Sequence, residues 1–348
     1  MNVLALQYDI TWENKPANFE KVGRLLRQAQ PPKDSIAALP EMFATGFTME
    51  ARMAEAYGSE TEQFVSTLAR ELGIWIIAGA AMQLKGGRPY VPVMVNGQGP
   101  FTFILDTGTN GDVSVTQRLV EQLSLPRSGL KIDDDGSGVN RRLVPAFHVD
   151  SVSVAGVEFK DLRADQCPGF HNEFDGILGF TLFRDYLLTL DYPNRKVILA
   201  RGSLPPADGK EILPLTLLDK LPVIELSVGS RKVGAMLDSG GTGLILPARF
   251  AERLKFATKP VVFAREETVS TMVDIKGAPL ASDIHFGAYT LKKPFLAIST
   301  LFPIGNFGGM LLKNFAVTFD QNNKLVRFVC KDKEILLLKP RLRVRVAP

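Results

Sequence analysis

The stretch VPVMVNGQGPFTFILDTGTNG, residues 91–111, returns in altered form as PVIELSVGSRKVGAMLDSGGTG, residues 222–243. Each copy reads as a hairpin and a glycine-rich loop. An apolar strand leads to a turn at Asn96-Gly97 or Gly229-Ser230, a second apolar strand follows, and Asp-Thr-Gly or Asp-Ser-Gly ends it. Setting Asp106 on Asp238 also sets Gly108 on Gly240 and Gly111 on Gly243. With a one-residue shift, TQRLVEQL (116–123) meets PARFAERL (247–254), both with short-helix spacing. Farther on, GILGFTLFRDYLLTLD (176–191) matches GNFGGMLLKNFAVTFD (305–320). Each holds Gly-x-x-Gly, a short helix and a strand ending in Asp191 or Asp320. Four elements recurring in one order predict two copies of one β unit.

Working outward, short alternating strands and frequent glycine run from Val91 onward, the texture of an all-β region. GSLPPADGK (202–210) reads as a linker, dividing it into lobes at 91–205 and 206–335. Gly86-Gly87 marks the break from an earlier segment, 1–90, that alternates strand and helix. There 3–9, 35–41 and 74–82 read as strands, and 18–30 and 61–72 as amphipathic helices, the first stopped by Pro31-Pro32. The predicted fold is mainly β: two pseudo-symmetric, closed barrel-like lobes after an incomplete α/β layer. Residues 336–348 form a basic tail whose Arg341, Arg343 and Arg345 read as a solvated end.

Composition narrows the function classes. Of 348 residues, 45% are hydrophobic and 22% charged, ordinary for a globular chain. No apolar run approaches the roughly 20 residues of a membrane span. The opening MNVLALQYDITWENK lacks a basic leader and a long apolar stretch, so no signal peptide is expected and the cytoplasm is the default. The net charge of +4 is spread out and no aromatics interleave with the tail arginines, so no nucleic-acid partner is expected. Cys167 and Cys330 show no ligand spacing, and His148, His171 and His285 stand apart, so neither metal nor cofactor is expected.

The two Asp loops carry the chemistry. Hydrolysis of a peptide bond without metal or nucleophile needs an activated water and a proton donor for the carbonyl oxygen. Two carboxylates about 3 Å apart supply both, because like charges that close cannot both ionise. Leu105 and Leu237 carry Asp106 and Asp238 to the tips of apolar strands. Thr107 and Ser239 offer hydroxyls to cross-link the loops, and Gly108 and Gly240 permit close backbone approach and unusual dihedrals. Thr109 has Gly241 as its counterpart, so Asp106 is expected to have more hydrogen-bond donors and carry the charge, leaving the proton on Asp238. A flap is expected in a hairpin at about 130–150, with Asp133, Asp134 and Asp135 in a solvated loop.

Residues 91–335 resemble a tandem pair of retropepsin-like units, the bilobal arrangement of pepsin-type aspartic peptidases. The family pattern is apolar-apolar-Asp-Thr/Ser-Gly, then a later apolar-apolar-Gly supporting the catalytic loop. Lobe one has Ile104-Leu105-Asp106-Thr107-Gly108 with Ile177-Leu178-Gly179, and lobe two has Met236-Leu237-Asp238-Ser239-Gly240 with Asn306-Phe307-Gly308. Asn306 departs from the pattern, standing where an apolar residue is expected. The resemblance implies an aspartic endopeptidase acting on peptide or protein substrates.

Residues 1–90 resemble the start of carbon–nitrogen hydrolases of the nitrilase and omega-amidase group, through LALQYDITWENKPANFEKV (4–22) and LPEMFATGF (39–47). In that family the Glu after Leu-Pro, here Glu41, is the general base of a Glu-Lys-Cys triad. The β region begins before the Lys and Cys are due, Lys85 comes too early, and Cys167 lacks the nucleophile's flanking sequence. Glu41 thus reads as vestigial. The segment is expected to expose apolar surface inviting self-association, and residues 1–88 to be dispensable for chemistry. Two other functions follow from these residues: a weak or inactive peptidase fold that binds peptides, and an amidase dependent on Glu41.

Overall fold

The computed structural model describes residues 2–40, 43–45, 60–77, 80–134, 141–167, 173–267, 272–300 and 303–337. Both repeated hairpins form. Asn96 and Gly97 take positive φ, 50° and 72°, so a two-residue turn follows the right-handed twist of its strands. It joins Arg88–Val95 to Gln98–Asp106; the second hairpin joins Leu221–Val228 to Arg231–Asp238. Alternation then drives Phe101, Phe103 and Leu105 into the core, as it does Ala235 and Leu237.

The chain is mainly β, with two lobes of curled sheet after a short α/β segment. Lobe one runs Arg127–Asp134, Arg141–Val154, Val157–Cys167, Val113–Thr116, Gly176–Gly179, Gln98–Asp106, Arg88–Val95, Gln83–Lys85. Lobe two repeats the first seven places as Val261–Glu267, Met272–Pro279, Phe295–Ser299, Leu244–Pro247, Gly305–Gly308, Arg231–Asp238, Leu221–Val228. Lobe one closes where Val152 pairs with Val95, while in lobe two the sheet runs on from Leu221–Val228, where Val228 pairs with Ile284. Closure leaves fewer free strand edges.

A six-stranded sheet joins the lobes. Its centre pairs Leu187–Asp191 from lobe one antiparallel with Ala316–Asp320 from lobe two, Thr189 opposite Thr318 with their hydroxyls 2.9 Å apart. The repeated strands therefore meet across a pseudo-two-fold axis.

The short helices differ for a local reason. Thr116 caps Gln117–Leu123 by accepting from the Leu119 N–H, whereas Pro247 has no side chain to cap its helix, which spans only Ala248–Ala251. The expected flap region holds a hairpin, Arg127–Asp134 with Arg141–Val154. Asp133 and Asp134, expected in a loop, lie in its first strand in register with Arg142 and Arg141; Asp135 lies outside the described residues. Lobe two carries the counterpart hairpin, Val261–Glu267 with Met272–Pro279.

The α/β segment has three parallel strands, Val3–Ala5, Ile36–Ala38 and Trp75–Ile77, and two helices, Lys15–Ala29 and Glu60–Leu72. Its own core contains Val22, Leu26, Val65 and Leu68, with Phe19 stacked on Phe64 at 4.5 Å. Val3 and Trp12 are left exposed. The single strand expected at 74–82 is two. Trp75–Ile77 stays in the parallel sheet, while Ala80–Ala81 pairs with Lys196 and Val197 in the joining sheet. Gly86-Gly87, read as a break, is a hairpin turn within lobe one, with φ of 62° and 89°. Lobe one's sheet thus starts ahead of residue 91, and Met82 and Tyr90 are buried in its packing.

Residues 83–88 therefore belong to the lobe packing, and the segment ahead of them has a separate core. Deleting 1–79 should leave activity per folded molecule unchanged, while deleting 1–88 should lower both activity and Tm. Equal behaviour of the two truncations in a thermal melt and a turnover assay would contradict this division.

Candidate active site

Each Asp loop is set by the strand beside it. Gly176–Gly179 pairs in parallel with the end of the Asp106 strand, placing Ile177 beside Ile104, Leu178 beside Leu105 and Gly179 beside Asp106. In lobe two Asn306, Phe307 and Gly308 lie beside Met236, Leu237 and Asp238. Leu178 and Phe307 are wholly buried, a rigid base under each loop. Each loop then crosses the end of its supporting strand. The Phe180 N–H donates to Thr109 O (2.9 Å), and the Gly309 N–H to Gly241 O (2.9 Å). At both crossings a side chain is excluded: a Cβ on Gly179 would overlap Gly111 O, and one on Gly308 would stand 2.8 Å from Gly243 N.

Four hydrogen bonds clasp the loops across the axis. The Thr107 hydroxyl donates to Leu237 O and the Ser239 hydroxyl to Leu105 O, both at 2.6 Å. In return the Ser239 N–H donates to Thr107 Oγ1 and the Thr107 N–H to Ser239 Oγ, both at 2.9 Å. Thr107 and Ser239 are wholly buried, so water does not compete for these bonds.

The clasp brings the two carboxyls close enough to share a hydrogen bond. A Cβ on Gly108 would stand 2.5 Å from Asp238 Oδ1, and one on Gly240 would overlap the Asp106 carboxyl carbon. Close approach is thus what these glycines provide. The unusual dihedrals expected of them are absent, since neither has positive φ.

Donors are evenly divided, against the expected surplus at Asp106. Asp106 accepts from the Gly108 N–H (2.8 Å) and the Thr109 hydroxyl (3.0 Å). Asp238 accepts from the Gly241 N–H (2.7 Å) and from the Asn306 side-chain amide. Burial first, and the neighbouring Asp238 charge second, push the Asp106 carboxyl up from 3.8 to about 7, against the Gly108 and Thr109 donors. The even division removes the reason for placing the charge on Asp106, and the raised carboxyl is that of a pair keeping one proton between its members past the ordinary carboxylate range. Both aspartates remain partly exposed, so solvent reaches them.

Two contributors escaped the sequence reading. Arg88, ahead of the expected lobe boundary, donates from Nε to Gly240 O at 2.6 Å and ties the first strand of lobe one to the second Asp loop. Asn306 was legible only as a departure from pattern, and its donation to Asp238 needed the loop geometry. Glu41, His171 and the tail arginines lie outside the described residues. Lys85 stands 4.8 Å from the Tyr90 ring centroid, and Cys167 ends a strand of lobe one, so both belong to the β lobe. Among the described residues no cluster of His, Cys, Asp and Glu is arranged to hold a metal ion, and no helix is long and apolar enough to cross a membrane.

Residues 91–182 match the aspartyl protease family, and residues 3–100 match the carbon-nitrogen hydrolase family. A nitrilase of Pyrococcus abyssi is 31% identical over 70 residues, 18% of this chain and 27% of the nitrilase. The chain thus spans about a quarter of the length of that relative. Both matched families are hydrolases.

Two outcomes are expected of this geometry. In Gly240→Ala the added methyl meets the Asp106 carboxyl, costing about 1–3 kcal/mol of stability by overpacking and, through misplacement of a reacting group, about 100-fold in rate. Wild-type kinetics in that variant would remove the close-approach role. The raised Asp106 carboxyl also sets a pH dependence of stability. Below pH 4 it is protonated both folded and unfolded, and between about 4 and about 7 the folded state alone keeps the proton. Stability should therefore fall as pH rises through that window and level off above it. Asp106→Asn should flatten the slope in melts recorded across it.

Proposed function

We propose that this protein is an aspartic endopeptidase that cleaves peptide bonds with a water held between Asp106 and Asp238. The observation that carries the reading is the clasp, which sets two carboxyls from different lobes side by side, one favouring its proton. The aspartyl protease match over residues 91–182 supports a peptidase-type activity, and a peptidase domain implies a peptide or protein substrate.

In this mechanism charged Asp238 takes a proton from the water as its oxygen attacks the scissile carbonyl carbon. Asp106 gives its proton to the carbonyl oxygen, so the tetrahedral intermediate carries no full negative charge. Collapse of the intermediate breaks the C–N bond, the leaving nitrogen taking a proton from Asp238 while Asp106 recovers one from a hydroxyl. The two hairpins, Arg127–Asp134 with Arg141–Val154 and Val261–Glu267 with Met272–Pro279, are the elements proposed to close over a bound peptide.

The two other functions are less well supported. Asn306 and Gly241 favoured an inactive peptide-binding fold while they read as losses, but the Asn306 amide restores the second donor at Asp238. An amidase needs a Lys and a Cys beside Glu41, and Lys85 and Cys167 belong instead to the lobe-one sheet.

Asp106→Asn and Asp238→Asn should each lower peptide turnover by orders of magnitude with the fold intact. The double variant should be hardly worse than either single, because the two groups act as one unit. Activity should follow a bell against pH whose falling limb lies near 7, where the shared proton is lost. Near-normal turnover by either single variant, measured with a fluorogenic peptide library from pH 3 to 8, would reject the mechanism.

A further inference from the structure

The lobes solve one problem in two ways. In lobe one the Thr109 hydroxyl donates to Asp106 Oδ2, and Ile177 stands on the supporting strand. The aligned positions in lobe two are Gly241 and Asn306. Gly241 has no side chain to donate, and the Asn306 amide reaches Asp238 Oδ2 from the supporting strand instead. The two changes fit each other sterically. A Cβ on Gly241 would lie 2.8 Å from Asn306 Oδ1 and 2.6 Å from Asp238 Oδ2, so a side chain at 241 excludes the amide and crowds the carboxylate. Gly241 does not have positive φ, so glycine is required there for space and not for backbone shape.

Resting on the dyad reading above, we infer that Asn306, admitted by Gly241, is the positioning residue that holds Asp238 as the charged member of the pair and leaves the shared proton on Asp106. The asymmetry follows from the chemistry of the donors. The Thr109 hydroxyl can donate to a charged Asp106 or accept from a protonated one. The amide nitrogen of Asn306 only donates, so in this orientation it favours a charged partner. Its Oδ1 is buried without a hydrogen-bond partner among the described residues. The amide is thus held by its bond to Asp238, on a strand whose backbone is fixed beside Met236 on one flank and Ile245 on the other. The other titratable or charged groups facing Asp238 are Asp106 from the opposite loop, Tyr192, and Arg88 through its bond to Gly240 O. Burial pushes the Tyr192 hydroxyl up, so it stays neutral where the dyad titrates.

The test uses the full chain with Asn306→Ile, Gly241→Thr and the double variant, which gives lobe two the residues of lobe one. Losing one hydrogen bond to a charged group should lower kcat by about 10- to 100-fold in Asn306→Ile, with KM little changed. The acidic limb of its pH–rate profile should move up by about one to two pH units. Gly241→Thr should impair the native background but move the limb of Asn306→Ile back toward wild type. A wild-type profile in Asn306→Ile would overturn the inference, as would an equal effect of Gly241→Thr in both backgrounds. If Asn306→Ile does not fold, Asn306→Leu takes its place. Carboxyl carbon NMR of aspartate-labelled protein, assigned with Asp106→Asn and Asp238→Asn, reads the same question without turnover. On acidification Asp106 should take up a proton before Asp238, and the gap should narrow in Asn306→Ile. An unchanged gap overturns the role of Asn306 even in an active enzyme. The expected narrowing in a protein that cleaves no peptide overturns the peptidase reading and leaves Asn306 in place.

Discussion

Thr107 and Ser239 each do two things at once, donating a hydroxyl hydrogen to the opposite strand and accepting a backbone N–H from the opposite loop. The constraint is reciprocal, since removing either side chain leaves a buried N–H and a buried carbonyl unpaired on the other lobe. Each such orphan costs about 1–3 kcal/mol. Two loops separated by 132 residues are thereby fixed to each other, and with them the distance between their carboxyls. Without the clasp, repulsion between two carboxylates in a confined site would drive the loops apart. With it, that repulsion is relieved by retaining a proton, the state that acid–base hydrolysis requires.

The rest of the fold holds the clasp in place. The joining sheet pairs Leu187–Asp191 with Ala316–Asp320 and aligns the lobes, and the wholly buried Leu178 and Phe307 support the loops. Arg88 adds a tie on one side only, so the two halves are similar in path and unequal in detail. That inequality matters for function. A symmetric pair of carboxyls would share its proton evenly, whereas in the proposed mechanism the different donors, Thr109 on one side and Asn306 on the other, give different tasks to two residues of one type.

The α/β segment stands apart in physical terms. It has its own core around Val22, Leu26 and Leu68, and its three strands stay parallel and separate from the lobes. Its link to the rest is the crossing at residues 80–90, where a short strand joins the central sheet and a glycine turn opens lobe one. Just beyond this stretch the carbon-nitrogen hydrolase match and the aspartyl protease match overlap, at residues 91–100. The two matches therefore overlap within a structured hairpin, Arg88–Val95 with Gln98–Asp106.

The repeat, the two Asp loops and the strands beneath them were legible in the sequence because each is written in contiguous residues. Asn96-Gly97 specifies a turn, alternation specifies a buried face, and Asp-Thr-Gly or Asp-Ser-Gly at a strand end specifies a loop. Other features depended on the path of the chain. Asn306 read as a defect beside Met236, because its value lies in reaching a carboxylate 68 residues away through space left by Gly241. Arg88 fell within the segment read as ahead of the lobes, because its partner lies 152 residues on. The surplus of donors expected at Asp106 did not form, since Asp238 gains its second donor from the strand beneath its loop and not from a hydroxyl within it. Sequence pattern records what each residue demands of its chain neighbours. Which distant groups meet, at what separation and how far from water, is fixed only when the lobes close on each other.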